Sequence, residues 1–288
     1  MSGTPSGSRT RPDAADAADA PTYTPAMTRP RILLAIPVFN EERYVDRVLA
    51  EVDRYRGTFI DSVLVIDDGS RDSTPARLAA HRVEVVRHAE NRGYGRSMMD
   101  AMRWACVDGF DWLLTMDCDE QHEPAAIPDF VAAISADDAD VVSGSRYLVR
   151  RADDDLPPED RRTINRTITA ELNARLDLRL TDSFCGFKAY RTASLERLEL
   201  DIDGYDFPMQ FWPEAVAKGL VIREIPVRLL YHDANRSFGG PLDDAGNRLR
   251  VYRRTLHRQL RLRCDDLPAS ATAGLDAIDA AADWADCG

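Results

Sequence analysis

Two aspartates two apart, Asp117 and Asp119, lie in the run Leu113-Leu114-Thr115-Met116-Asp117-Cys118-Asp119-Glu120-Gln121. The stretch Trp112 to Met116 is mostly apolar and reads as a buried strand, so both carboxylates stand at its carboxyl end. Acid placed there is costly unless a cation or hydrogen-bond donors compensate it. The carboxyl ends of strands are also where open α/β sheets take their ligands. Hard carboxylate oxygens suit Mg²⁺ or Mn²⁺, and those ions serve mainly to hold diphosphates. Acids this close together are more often a solvated turn, but their place after an apolar strand and a second acidic pair reverse that reading. Asp67-Asp68 closes the apolar run Ser62-Val63-Leu64-Val65-Ile66 and is followed by Gly69-Ser70. Turn chemistry accounts for part of this pair. Asp72 or Ser73 can cap a helix starting near Thr74-Pro75, which leaves Asp67 and Asp68 to face a cleft.

The elements that must position these groups follow from periodicity. Strand-like runs are Ile32 to Val38, Val63 to Ile66, Val83 to Arg87, Trp112 to Met116 and Val141 to Ser143. Helix-like segments lie between them, at Glu41 to Arg56, Thr74 to His81, Tyr94 to Val107 and Ala125 to Ser135. Regular alternation of this kind predicts an α/β fold with a mostly parallel sheet and right-handed crossovers. After Gly144 the rhythm changes: a polar loop, a helix from about Arg161 to Leu176, the segment Phe187 to Tyr190, a helix near Gln210 to Lys218 and a strand at Val221 to Leu230. This half should complete the sheet and build the acceptor side of a cleft.

The chain has 288 residues, 44% of them apolar, enough for one large domain. Residues 1–29 and 264–288 are poor in large aliphatics and are expected to be disordered tails. Residues 241–263 read as a C-terminal basic helix. Leu249, Tyr252, Leu256 and Leu260 form one stripe, with seven arginines elsewhere. Packing on the domain is the preferred role, because the stripe is no wider than docking needs; contact with an anionic membrane surface is the alternative. A net charge of −12 argues against a nucleic-acid partner. Lys188 and Lys218 are the only lysines among 37 basic residues, which reads as genomic composition bias. Five cysteines without C-x-x-C spacing and no secretory signal point to free thiols in the cytoplasm. No apolar run approaches the roughly 20 residues of a membrane helix, so any contact with the inner membrane face should be peripheral.

Six ordered motifs together resemble the family 2 glycosyltransferases of the GT-A fold, most closely the dolichyl-phosphate mannose synthase branch. They are Ile36-Pro37-Val38-Phe39-Asn40-Glu41, Val65-Ile66-Asp67-Asp68-Gly69-Ser70, Asn91-Arg92-Gly93-Tyr94-Gly95, Met116-Asp117-Cys118-Asp119-Glu120-Gln121-His122, Gly144-Ser145-Arg146-Tyr147 and Asp182-Ser183-Phe184-Cys185-Gly186-Phe187. The resemblance makes residues 30–240 the catalytic domain. It implies that Pro37, Phe39, Glu41, Asp67 and Asp68 hold the nucleotide of a nucleotide-sugar donor of GDP-mannose or UDP-glucose type. Asp117, Asp119 and Gln121 match positions that bind Mg²⁺ or Mn²⁺ and the donor diphosphate. Arg146 and Arg236 match phosphate-contacting arginines, and Asp182 is the candidate to orient or deprotonate the acceptor, with inversion at the anomeric carbon. Where the branch usually has Thr-Ser-Gly this chain has Phe184-Cys185-Gly186, which leaves the acceptor open between a polyprenyl phosphate and a soluble molecule. His232 is expected to stand outside the metal shell.

Competing readings fail at specific places. A sugar-phosphate nucleotidyltransferase needs a glycine-rich loop after its first strand, where Pro37-Val38-Phe39-Asn40-Glu41 has no glycine. A nicotinamide oxidoreductase needs G-x-G-x-x-G at the same place, and Gly93-Tyr94-Gly95 comes after the third strand without the last glycine. A catalytically silent nucleotide-sugar-binding protein is disfavoured because the donor motifs are intact.

Overall fold

Strand β1, Ile32–Val38, is apolar at every position, with alternate residues entering different cores. Leu33 and Ala35 face one core, whereas Ile32, Leu34, Ile36 and Val38 face the other. A strand apolar on both faces needs helices on both sides, as parallel sheets have. The computed structural model describes residues 29–119, 123–151, 154–155, 157–230 and 240–281, with residues 1 and 3. Its seven-stranded sheet runs β3-β2-β1-β4-β6-β5-β7, where β2 is Ser62–Asp67, β3 Glu84–Arg87, β4 Trp112–Thr115, β5 Val141–Ser145, β6 Lys188–Arg191 and β7 Ile222–Pro226. All pairings are parallel except those of β6, which runs antiparallel between β4 and β5.

Helices α1 (Val45–Asp53), α2 (Thr74–Leu78) and α4 (Ile127–Ser135) cover one face. The other face is covered by α3 (Tyr94–Val107), α5 (Glu159–Leu176), α6 (Thr192–Leu195), α7 (Pro208–Ala217) and α8 (Ala245–Leu262). The mostly parallel α/β architecture agrees with the sequence pattern. The reversal of β6 has a topological consequence: its first residue, Lys188, lies at the sheet edge where β4 and β5 end.

The C-terminal end departs from expectation. Residues 264–281 do not form a disordered acidic tail but fold back onto the domain, ending in α9, Leu275–Ala281. Ala271 and Leu275 are 1% exposed and join the core beneath α8. Arg175 donates to the carbonyls of Ala271 and Ala273, while Asp276 and Asp279 pair with Arg261 and Asp279 also with His257. Low hydrophobicity misled the sequence reading because these acids are matched to Arg261 and His257, presented by α8. The same packing occupies the apolar stripe of α8: Tyr252, Leu256 and Leu260 are buried, and Arg248 and Arg253 pair with Asp160 and Glu171 of α5.

Candidate active site

The loops after β1 and β2 are tied together by hydrogen bonds. The Asn40 amide donates to Ser70 Oγ, and the Arg71 amide donates to Asn40 Oδ1. The Glu41 amide donates to Thr74 Oγ1, and the Glu42 amide donates to Asp72. Asp72 also accepts from the Thr74 amide, so it, rather than Ser73, serves the start of α2. Gly69 closes the β2 turn with φ +75°, and a Cβ there would lie 2.4 Å from the Glu90 carbonyl carbon. Only glycine allows the β2 and β3 loops to approach this closely.

Those loops form one wall of a cavity of about 670 Å³ at the edge where β4 and β5 end. Pro37, Phe39, Glu41 and Asp68 line it, with Phe39 exposed and Glu41 buried. Asp68 accepts from the amides of Arg92 and Gly93 at 2.8 Å each and lies 2.6 Å from His88 Nδ1; His88 Nε2 is in turn 3.0 Å from Asp100. Asp67 is wholly buried behind this wall, accepting from the Ser70 amide and pairing with Arg87 at 3.2 Å. The two neighbours thus do different work: Asp68 reaches the cavity while bracing the loop to α3, and Asp67 ties β2 to β3.

Asp117 and Asp119 enter the cavity from the end of β4. Thr115 Oγ1 donates to the Gly186 carbonyl, fixing the segment opposite. Tyr94, stacked on Tyr205 at 5.9 Å, stands near Asp117; burial first and the Asp117 charge second push its phenol well above the ordinary range, so it stays neutral. Among the described residues no group of three or more His, Cys, Asp or Glu gathers as a metal site. Two hard carboxylates facing an open cavity nevertheless fit an ion whose remaining ligands come from a diphosphate and water. Gln121, Arg236 and His232 lie outside the described residues.

The opposite wall is cationic and aromatic. Arg146 lines the cavity and grips Asp182, with Nε to Oδ2 at 2.7 Å and a terminal nitrogen to Oδ1 at 3.0 Å. Asp182 is fully buried and also accepts from Asn165 Nδ2 at 2.7 Å. Burial works to raise this carboxyl, but the Arg146 charge and hydrogen bonds, with Asn165 and Lys188, hold it far below the usual carboxylate range. An acid so strong is a poor proton acceptor; its geometry suits it to positioning Arg146. Lys188, Arg161 and Arg248 also line this side, with Phe184 and Tyr252 in contact at 5.0 Å. Burial pulls the Lys188 pKa down. Sequence reasoning passed over these cations. The available signal was the rarity of lysine, which set Lys188 apart immediately after the motif Asp182 to Phe187.

Residues 34–199 match the model of glycosyl transferase family 2, 'Glycosyl transferase family 2'. The chain belongs to this family. Among curated relatives, the polyprenol monophosphomannose synthase of Mycolicibacterium smegmatis is 30% identical over 218 residues, spanning 70% of this chain and 79% of the relative. The undecaprenyl-phosphate mannosyltransferase of Micrococcus luteus is 30% identical over 216 residues, spanning 72% and 86%. Among solved structures, glucosyl-3-phosphoglycerate synthase from Mycobacterium tuberculosis, crystallised with Mn²⁺, UDP and phosphoglyceric acid, superposes with a TM-score of 0.63 at 19% identity, covering 80% of this chain and 78% of that one. That likeness concerns the fold, which is GT-A. The family membership makes this chain a glycosyltransferase.

Proposed function

We propose that this enzyme transfers a hexosyl group, mannosyl by preference, from a nucleoside diphosphate sugar to the phosphate of a polyprenyl monophosphate, with inversion. The observation that carries this reading is the division of one cavity into an acidic side that could take a cation and a cationic side that could take a phosphate. Asp117 and Asp119 enter from β4, while Arg146, Arg161, Lys188 and Arg248 line the other side of a chain whose net charge is −12. The names of the two mannosyl-transferring relatives support the same acceptor class.

In this scheme Pro37, Phe39, Glu41 and Asp68 receive the nucleoside, and Asp117 and Asp119 hold the divalent cation, with Gln121 as a third ligand. Mg²⁺ or Mn²⁺, when bound, neutralises the diphosphate and eases its departure. An acceptor phosphate is ionised near neutral pH, so its oxygen attacks the anomeric carbon without a strong base as the bond to the diphosphate breaks. Asp182 then contributes by fixing Arg146. Arg236 is assigned to phosphate as well.

The test is a transfer assay with GDP-mannose and UDP-glucose as donors, Mn²⁺, and farnesyl monophosphate, farnesol and 3-phosphoglycerate as acceptors. Sugar should appear in the lipid-extractable phosphate product, and Asp117→Ala or Asp119→Ala should abolish it while the fold persists. Transfer at the untreated rate after EDTA would remove the metal from the scheme; transfer only to farnesol or 3-phosphoglycerate would remove the polyprenyl phosphate.

A further inference from the structure

Arg146 and Lys188 present different electrostatics to the cavity. The Arg146 guanidinium is already engaged by Asp182 through two nitrogens, so that pair is close to neutral. Lys188 is 5% exposed, and its ammonium donates to the Cys185 carbonyl and lies 5.4 Å from the Trp212 ring centroid. Among the described residues no carboxylate forms an ion pair with it: Asp117 and Asp182 act on it only through space. A buried cation with no carboxylate in contact is costly and is normally paired or set against a ligand.

Its place in the sheet says which ligand. Lys188 pairs in register with Thr115 on β4 and with Ser143 on β5, so it stands between the strand that leads to Asp117 and the strand that leads to Arg146. A divalent cation, if held by Asp117 and Asp119, would neutralise the donor diphosphate on that side of the cavity. The incoming nucleophile must meet the sugar from elsewhere in the cavity, and Lys188, which has no carboxylate in contact among the described residues, lines that cavity together with Arg146. The ammonium is also a compact point charge with three donors, of which the Cys185 carbonyl takes one.

We infer that Lys188 binds a phosphoryl oxygen of the acceptor monoester, supplying the positive charge that Arg146 spends on Asp182. This rests on the phosphate acceptor proposed above. Lys188 then holds the attacking anion in place without taking or giving a proton.

The chain has two lysines, so lysine-selective ¹³C labelling gives two Cε side-chain signals, with Lys218, paired to Glu199 and Glu214, as the internal control. Loss of one signal in Lys188→Met assigns the other. Farnesyl monophosphate should shift the Lys188 signal in Mg²⁺- and UDP-loaded protein, whereas farnesol should not. In kinetics, Lys188→Met should raise the acceptor KM roughly 10- to 100-fold, the loss of one charge-assisted hydrogen bond. Lys188→Arg should recover part of that loss, and UDP and GDP affinities should stay within about twofold. A Lys188 signal that moves with UDP alone, together with weaker UDP binding by Lys188→Met, would assign the amine to the donor and overturn the inference. An unchanged acceptor KM in Lys188→Met, with wild-type protein active on farnesyl monophosphate, would overturn it too. A shifting signal without any sugar transfer keeps the Lys188 contact and sinks the proposed reaction instead.

Discussion

At the scale of single residues, Asp117 depends on what stands opposite. The β4–β6 register, Thr115 with Lys188, continues outward to set Gly186 against Asp117. A Cβ on residue 186 would lie 2.5 and 2.7 Å from the two Asp117 carboxylate oxygens. Gly186→Ala should therefore displace that carboxylate, and a misplacement of about 1 Å costs on the order of 10²-fold in rate. The expected result is a loss of that size in kcat/KM and a higher Mn²⁺ requirement, with the thermal midpoint nearly unchanged; wild-type kinetics in the alanine variant would show that Asp117 has room to spare. Asp182 gives a second prediction. Its depressed pKa keeps it ionised throughout any practical assay, so it contributes no acid limb to the rate. Asp182→Asn leaves the partly exposed Arg146 without its counter-charge in a largely enclosed site, which should cost at most about 3 kcal/mol of stability. Activity should fall without a change in the shape of the pH profile of kcat. A shifted acid limb would reinstate Asp182 as the base.

At the scale of elements, the contact between α5, α8 and α9 is a cluster of charges around His257. Nε2 lies 2.7 Å from Glu171 and Nδ1 lies 2.6 Å from Asp279, with Arg253 on Glu171 and Arg261 on Asp279. Burial works to raise the Glu171 carboxyl, but the His257 hydrogen bond and the Arg253 charge bring it down to about 2. Because the folded pKa is depressed, Glu171 stabilises the protein fully above its unfolded pKa, 4.5, and that contribution fades as pH falls toward about 2. Hydrogen exchange of the α9 amides should accelerate over that interval before the sheet opens, and Glu171→Gln should flatten the dependence. Exchange in α9 that tracks the sheet at every pH would mean that the cluster does not govern this end of the chain.

At the scale of the whole molecule, the sheet brings separate loops to one edge, and a single displacement across the cavity follows if the acceptor meets the sugar opposite the departing diphosphate. Proton NMR of the product should show the anomeric configuration inverted relative to the donor; retention would require a covalent intermediate and a different set of residues. Much of this arrangement was legible in the amino-acid sequence. The strands β1, β2 and β4, the helix α3, and the acidic pairs at two strand ends are local features, set by apolar periodicity and by the turn chemistry of Asp, Gly and Ser. What each acid does was not legible. Asp67 and Asp68 are neighbours of identical chemistry, yet one ties strands together and the other reaches the cavity, because partners 20 or more residues away decide it. Asp182 and Arg146 become an ion pair 36 positions apart in the chain. The α9 end folds because its acids meet Arg261 and His257 on α8, a match that composition does not display. Lys188 reaches the cavity only because β6 runs backwards between β4 and β5, and strand direction depends on long-range pairing rather than on the four residues of the strand.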